Sequence, residues 1–255
     1  MIANYHTHTH RCHHAYGCEW QYVERAIAGG LKILGFADHT PWPGDATRPG
    51  VRMKEHQLAE YIETIETLRR IYGDRIELKI GLEAEYFPDE FEGLMELLKK
   101  SGKVEYLILG QHYHTDEKKT PVSKRFWDEE TLERWVDNMI EAMHTGKYLY
   151  VCHPDVVHFV GLPRIYKKHM KRLCKAAKEC NLPLEINGQG LRAGSHYPNR
   201  RFWKLAGKMG CKAVIGMDAH RPSGICDEGE LAILRGIAEK YGLEILDELE
   251  IKELF

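Results

Sequence analysis

The sequence predicts a single-domain α/β fold in which seven parallel strands close into a barrel, and three observations carry that expectation. Short β-prone apolar runs alternate with longer segments of helical period along all 255 residues. No low-complexity linker or compositional break divides them, which is the pattern of repeated strand–helix units. Each of the seven apolar runs ends in His, Asp or Glu. An open doubly wound sheet draws its ligand site from the strands beside one switch point, whereas a barrel brings every strand's C-terminal end to a common mouth. Seven residue-bearing ends therefore favour the barrel.

In chain order, the strands are expected to end near Tyr5, Ala37, Ala84, Gly110, Cys152, Ile186 and Met217. The polar groups at those ends are His6 and His8; Asp38 and His39; Glu83 and Glu85; His112 and His114; His153 and Asp155; Glu185 and Asn187; Asp218 and His220. The tail from Leu243 to Phe255 offers no eighth such end, so seven strands are expected. Between strands, Leu58, Tyr61, Ile62, Ile65, Leu68 and Tyr72 form one stripe, and Leu132, Trp135, Val136, Met139, Ile140 and Met143 another. That spacing makes core-facing amphipathic helices, and their aromatics are read as core. A helix around Arg164 to Cys180 carries Lys167, Lys168, Lys171, Arg172, Lys175 and Lys178. Cations at helical spacing read first as a solvated face and only weakly as a nucleic-acid patch.

Composition limits the function classes. Hydrophobic residues make up 43% of the chain, enough for a real core, and charged residues 29% with a formal net charge of -2. Nothing in that balance steers the protein toward nucleic acid or an anionic membrane. No apolar run approaches the roughly 20 residues of a membrane helix, and no secretory-signal layout opens the chain, so a cytoplasmic protein is expected. Seven cysteines, an odd number with no Cys-x-x-Cys pair, argue against a disulfide framework and a zinc ribbon. Reduced thiols are expected. Cys12 stands apart because it lies among histidines, as a ligand or as a buried neighbour. The absence of G-x-G-x-x-G and Walker loops removes the usual nucleotide-binding readings.

The polar strand ends suggest metal chemistry. On an extended strand, residues two apart share a face, so His6 and His8 can chelate one ion together. A solitary pair would as readily be hydrogen-bonded core residues. Asp218 and His220 repeat the spacing on the last strand, however, and Asp38, Glu83 and Glu85 add hard oxygens. Imidazole with carboxylate and no obligatory thiolate suits Zn²⁺, Mn²⁺ or Fe rather than a structural zinc cage. The donors exceed what one ion can use, which points to a polynuclear centre.

The series His6-Thr7-His8-Thr9 with His14, Asp38-His39, Gly81-Leu82-Glu83, His112, His153-Pro154-Asp155 and Asp218-Ala219-His220 resembles the motifs of the polymerase-and-histidinol-phosphatase (PHP) superfamily. It runs from the first strand to the last and is most similar to the histidinol-phosphate phosphatase branch. The resemblance implies a distorted seven-stranded, TIM-like (β/α)7 barrel with a trinuclear centre. It further implies that residues 1–255 form one PHP-type metal-dependent phosphoesterase domain holding two to three divalent transition-metal ions. By the same resemblance, His6, His8, Glu83 and Asp218 hold one ion, Glu83 bridges to a second held by His112 and His153, and His14, His39 and His220 hold the third. His10 and His13 are additional imidazoles here, so His13 competes with His14. Glu85 is either a ligand or a support behind one.

The implied function is hydrolysis of a phosphate monoester, with L-histidinol phosphate giving L-histidinol and phosphate in histidine biosynthesis. The expected step is attack of a metal-bridging hydroxide on phosphorus. Arg164 and Arg192 follow predicted strand ends in Gly-rich loops, match phosphate-binding positions of that branch, and are the nominated phosphate ligands. Glu83 and Asp218 complete the catalytic set, with Asp218 or water protonating the leaving alkoxide. Asp116, Glu117 and Tyr113 are candidates to read the rest of the substrate. The partner expected is a small phosphate ester, with no nucleic acid or membrane. A PHP-type nucleotide phosphodiesterase or exonuclease and a protein-tyrosine phosphatase remain alternatives, and so does a non-catalytic metal-binding scaffold.

Overall fold

The computed structural model describes residues 1–44, 50–113 and 121–255; His114, Asp116 and Glu117 lie outside them. Strands and helices alternate: β1 (Ala3–Asn4), α1 (Glu19–Ala28), β2 (Ile33–His39), α2 (Leu58–Tyr72), β3 (Glu77–Ala84), α3 (Pro88–Ser101), β4 (Tyr106–Leu109), α4 (Glu129–His144) and β5 (Tyr148–Val151). Then come α5 (Pro163–Glu179), β6 (Leu184–Asn187), α6 (Gly188–Arg192), α7 (Arg200–Met209), β7 (Lys212–Gly216), α8 (Glu228–Tyr241) and β8 (Glu244–Ile245). The strands form one parallel sheet in sequence order. Each predicted strand end lies within two residues of the observed one.

The count of strands differs from the expected seven. The tail contributes β8, two residues paired with the start of β7 through Lys212↔Glu244 and Ala213↔Ile245. At the opposite end, the chain beyond β7 pairs instead with the chain beyond β1, through the parallel bridge Thr7↔Ala219 and the bond from His8 N to Ala219 O at 3.0 Å. Seven strands therefore close the barrel at its mouth, and the eighth joins only at the bottom. Uneven strand lengths and a register shift between Leu107 and Ile108 supply the distortion. All eight described helices of α type lie between strands or follow them, as crossover geometry requires.

Two apolar layers result. The larger packs helices on the outside of the sheet and contains Leu58, Tyr61, Ile62, Ile65 and Leu68 of α2 and Leu132, Trp135, Val136, Met139 and Met143 of α4. Both stripes face the core as expected, except that Tyr72 and Ile140 are only partly buried. Full burial of one such Leu or Met side chain stabilises by about 1.5–3 kcal/mol. The smaller layer fills the barrel interior with Tyr5, Ile33, Tyr106, Ile108, Tyr150 and Val214, against which Leu246, Leu249 and Ile251 of the tail pack. Tyr106 crosses that interior, its hydroxyl donating to Tyr5 O at 2.8 Å. Gly81 makes room for it, since a Cβ there would lie 2.2 Å from the Tyr106 ring. On α5 the lysines are exposed, and Lys168 and Arg172 pair with Glu129 and Asp137 of α4. Among the described residues no helix is long and apolar enough to cross a membrane.

Candidate metal centre

Parallel register assembles the site. The β2–β3 ladder runs from Ile33↔Glu77 to His39↔Glu83, which sets two donors from different strands side by side at the mouth. The Thr7↔Ala219 bridge does the same for His6 and His8 against Asp218 and His220. Two of the donor positions, His153 and Asp218, have positive φ, at 29° and 48°. A non-glycine residue held in that sparsely populated region is common where function dictates the aim of a side chain.

Glu83 is the hub. Its Oε1 lies 2.8 Å from His153 Nε2 and 3.5 Å from His112 Nε2. Its Oε2 lies 3.0 Å from His39 Nδ1, 3.4 Å from His8 Nε2 and 3.6 Å from His6 Nε2. Asp218 Oδ1 faces the same pair of histidines, 3.5 Å from His6 Nε2 and 3.1 Å from His8 Nε2, which are themselves 3.1 Å apart. These five distances are 3.1–3.6 Å. Metal–ligand bonds of about 2.0–2.1 Å in a tetrahedron require edges of roughly 3.3 Å, so His6 and His8 are spaced to share an ion with either carboxylate, and His6, His8 and Asp218 form one compact group. His14 and His220 stack with ring centroids 4.7 Å apart, and His14 and His39 lie at 5.4 Å. All nine donors named from the sequence therefore come together.

Most of the imidazoles have their Nδ1 edge occupied from behind, which fixes the tautomer and leaves Nε2 for the centre. Glu185 Oε1 takes His6 Nδ1 at 2.8 Å. Asp38 Oδ1 takes His8 Nδ1 at 3.3 Å, Glu85 Oε1 lies 3.4 Å from His112 Nδ1, and the Cys12 carbonyl takes His14 Nδ1 at 2.7 Å. The Asp218 carbonyl takes His220 Nδ1 at 3.1 Å. Asp38 is further held by Thr9 and by His39 N, and Glu85 by the buried Arg52 at 2.7 Å. Both act as supports.

Electrostatics agree with a site built for cations. Burial alone would lower the His6 imidazole, but Asp218 and Glu185 raise it to about 10. His8 is likewise raised, against burial, by Asp218 and Asp38. Burial would raise Glu83 and Asp218, yet the surrounding imidazoles hold both well below the usual carboxylate range. Burial and His8 push His220 down to about 3. Buried carboxylates at this density need positive charge beside them, which protons or divalent ions can supply. Asp218 Oδ1 and His220 Nε2 are buried without a hydrogen-bond partner among the described residues, as ligand atoms aimed at an ion would be.

The surplus imidazoles separate from the rest. His10 is half exposed and 3.6 Å from Glu19. His13 adopts φ 66° as the cap of the short turn His10–Cys12, and the ring that stacks on His220 is that of His14, although both residues are exposed. The arginines also divide. Arg164 is exposed in the first turn of α5, with no partner among the described residues. Arg192 pairs with Glu230 at 2.5 Å and donates to the carbonyls of Met217, Asp218 (3.0 Å) and Gly224 (3.3 Å). Its guanidinium faces the backbone that carries Asp218. Tyr113 is partly buried against the core.

Sequence reasoning left five contributors without a role: Glu185, Asn187, Arg52, Gly110 and Gly216. Glu185 supports His6, accepts His153 N at 3.0 Å and is itself held by Asn187 at 2.8 Å, which also donates to Asp218 at 3.1 Å. Arg52 stabilises Glu85. Gly110 and Gly216 provide clearance: a Cβ would lie 1.9 Å from Glu83 Oε1 at the first and 1.7 Å from Glu185 Oε1 at the second. Glycines at the ends of β-prone runs, opposite acidic ones, were the available signal.

A family model described as the PHP domain matches residues 4–189. Among curated proteins, the chain is 29% identical over 231 residues to a probable histidinol-phosphatase of Deinococcus radiodurans, covering 87% of each. It is 26% identical over 250 residues to a histidinol-phosphatase of Bacillus subtilis, covering 85% of this chain and 92% of that one. The fold is similar to the crystal structure of histidinol phosphate phosphatase from Lactococcus lactis complexed with Zn, L-histidinol and phosphate, with a TM-score of 0.75, 18% identity and 99% of each chain covered.

Proposed function

This chain belongs to the PHP domain family, and from that premise we propose that it is a metal-dependent phosphatase of phosphate monoesters whose substrate is L-histidinol phosphate. The observation that carries the reading is Glu83, whose two oxygens face different sets of imidazoles, as a carboxylate shared between ions must. The substrate assignment draws on the relatives named histidinol-phosphatase, which align over most of both chains.

In this reading His6, His8, Glu83 and Asp218 hold one ion, Glu83, His112 and His153 a second, and His14, His39 and His220 a third. When bound, such ions lower the pKa of coordinated water to about 7 and neutralise phosphoryl oxygens, which removes the charge barrier to attack on a dianion. The protein's own groups set the geometry. Glu185, Asp38 and Glu85 orient the imidazoles, and the barrel mouth collects the donors on ladders that cannot slip without moving all of them. Asp218 stays ionised beside His6 and His8 and serves as a ligand, so the proton for the leaving alkoxide comes from solvent in the mouth. Arg164, exposed and unengaged, is assigned to the substrate phosphate, where a planar guanidinium can bind two oxygens at once. Arg192 is assigned to positioning the Met217–Asp218 backbone.

The test is a substrate panel run with metal analysis on the same sample. Hydrolysis of L-histidinol phosphate exceeding that of aryl phosphates, phosphotyrosyl peptides and nucleotides by orders of magnitude supports the assignment. Equal rates across the panel would leave a broad phosphatase, and a chain that binds no ion would end the reading.

A further inference from the structure

Five of the seven thiols are buried, and two of these lie among the candidate donors: Cys12, and Cys152 beside His6, Glu83 and His153. Cys12 is fully buried at the end of the short turn His10–Cys12, whose cap His13 takes a left-handed conformation. That reversal returns the chain so that residues 12 and 14 face the same space, and the bond from His14 Nδ1 to the Cys12 carbonyl at 2.7 Å locks it. The Cys12 sulfur and ligand atoms of His14 and His220 all lie within 4.8 Å of one another; the same holds for Cys12 with His8 and Asp38.

We infer that the Cys12 sulfur is a protein donor to the ion held by His14 and His220. The inference rests on the metal-dependent reading above and extends it. Charge gives the reason. His14, His39 and His220 are neutral as ligands; Glu83 Oε2 lies 3.0 Å from His39 Nδ1 and Asp218 Oδ1 3.3 Å from His220 Nδ1, but both oxygens are shared with His6 and His8. Both oxygens of Asp38 are already engaged by Thr9 and His39 N. Cys12 is the group at that position able to add an anionic donor of its own. On coordination the S–H bond breaks, its electron pair forms the sulfur–metal bond and the proton passes to solvent. A soft donor there favours Zn²⁺ over Mn²⁺ at this position. Cys152 makes the contrast: it is also buried, but its thiol donates to Glu83 Oε1 at 3.4 Å and so supports the shared carboxylate.

X-ray absorption on the zinc-loaded native protein should show a sulfur shell at about 2.3 Å beside the nitrogen and oxygen shell. In the cobalt-loaded protein a near-ultraviolet sulfur-to-metal charge-transfer band should appear, vanish in Cys12→Ser and persist in Cys152→Ser. Bound ions with no sulfur shell would overturn the inference while leaving the phosphatase reading intact, and so would a band that survives in Cys12→Ser. A sulfur shell in a protein inactive on every phosphate ester would do the reverse. An absent sulfur shell in the native protein overturns the inference even where a variant fails to fold, and the Cys152→Ser variant alone tells which thiol supplies a shell that is present.

Discussion

The two ends of one barrel follow opposite rules. At the bottom, Tyr5, Tyr106 and Tyr150 fill the interior, and Leu246, Leu249 and Ile251 of the tail close it with apolar contact. At the mouth, one to six residues further along the chain from Tyr5, Tyr150 and Tyr106, the interior becomes imidazole and carboxylate with buried atoms left unpartnered. Stability resides in the first region and chemistry in the second. The mouth is tolerable because nearly every polar group there has a second partner behind it, so the cost of burying charge is distributed over a network.

That contrast can be broken from either side. The largest effect is expected at the hub: Glu83→Gln removes the shared charge, and both bound metal and turnover should fall to background in metal analysis and assay. Retained metal would mean the ions are not held through Glu83. Glu185→Gln leaves every proposed ligand in place and disturbs only the support of His6, so ion affinity should fall by about 10–100-fold in a competition titration, with the fold unchanged by circular dichroism. Arg192→Ala should lower kcat together with metal content, because Arg192 holds the Asp218 backbone. A raised KM with full metal content would instead return Arg192 to the substrate phosphate.

Protons compete with ions at the mouth alone. His6 is raised to about 10, so near neutral pH it carries a proton that an ion must displace, and coordination requires the neutral imidazole. Ion affinity should therefore rise with pH, and calorimetry in buffers of different ionisation enthalpy should detect proton release on binding near neutrality. No net release would contradict the assignment of His6. The smallest effect belongs to the bottom: Leu249→Ala trims a partly buried stopper and should cost about 1 kcal/mol, shifting Tm by roughly 2–4 °C, with metal content and kcat unchanged.

The donors were legible because ligand chemistry resides in residue type and strand spacing, both local. His6 with His8 and Asp218 with His220 declare a shared face from two-residue spacing alone, and the α2 and α4 stripes declare their buried sides in the same way. Partnership was not legible. His14 rather than His13 enters the cluster because one left-handed residue turns the chain. Glu85 supports His112 because Arg52 holds its other oxygen. Arg192 has the loop context of a phosphate ligand, yet carbonyls from another strand take its guanidinium.

Sequence by itself determined the alternation of strands and helices, the family resemblance and the nine candidate donor positions. Only the tertiary structure decided that seven strands close at the mouth while a two-residue eighth joins below, and which charged group each donor meets. The physical reason is range. Periodicity and donor type act over a few residues, whereas closure through Thr7 and Ala219 and the pairing of His6 with Glu185 join residues far apart in the chain, which meet only once every strand has found its register.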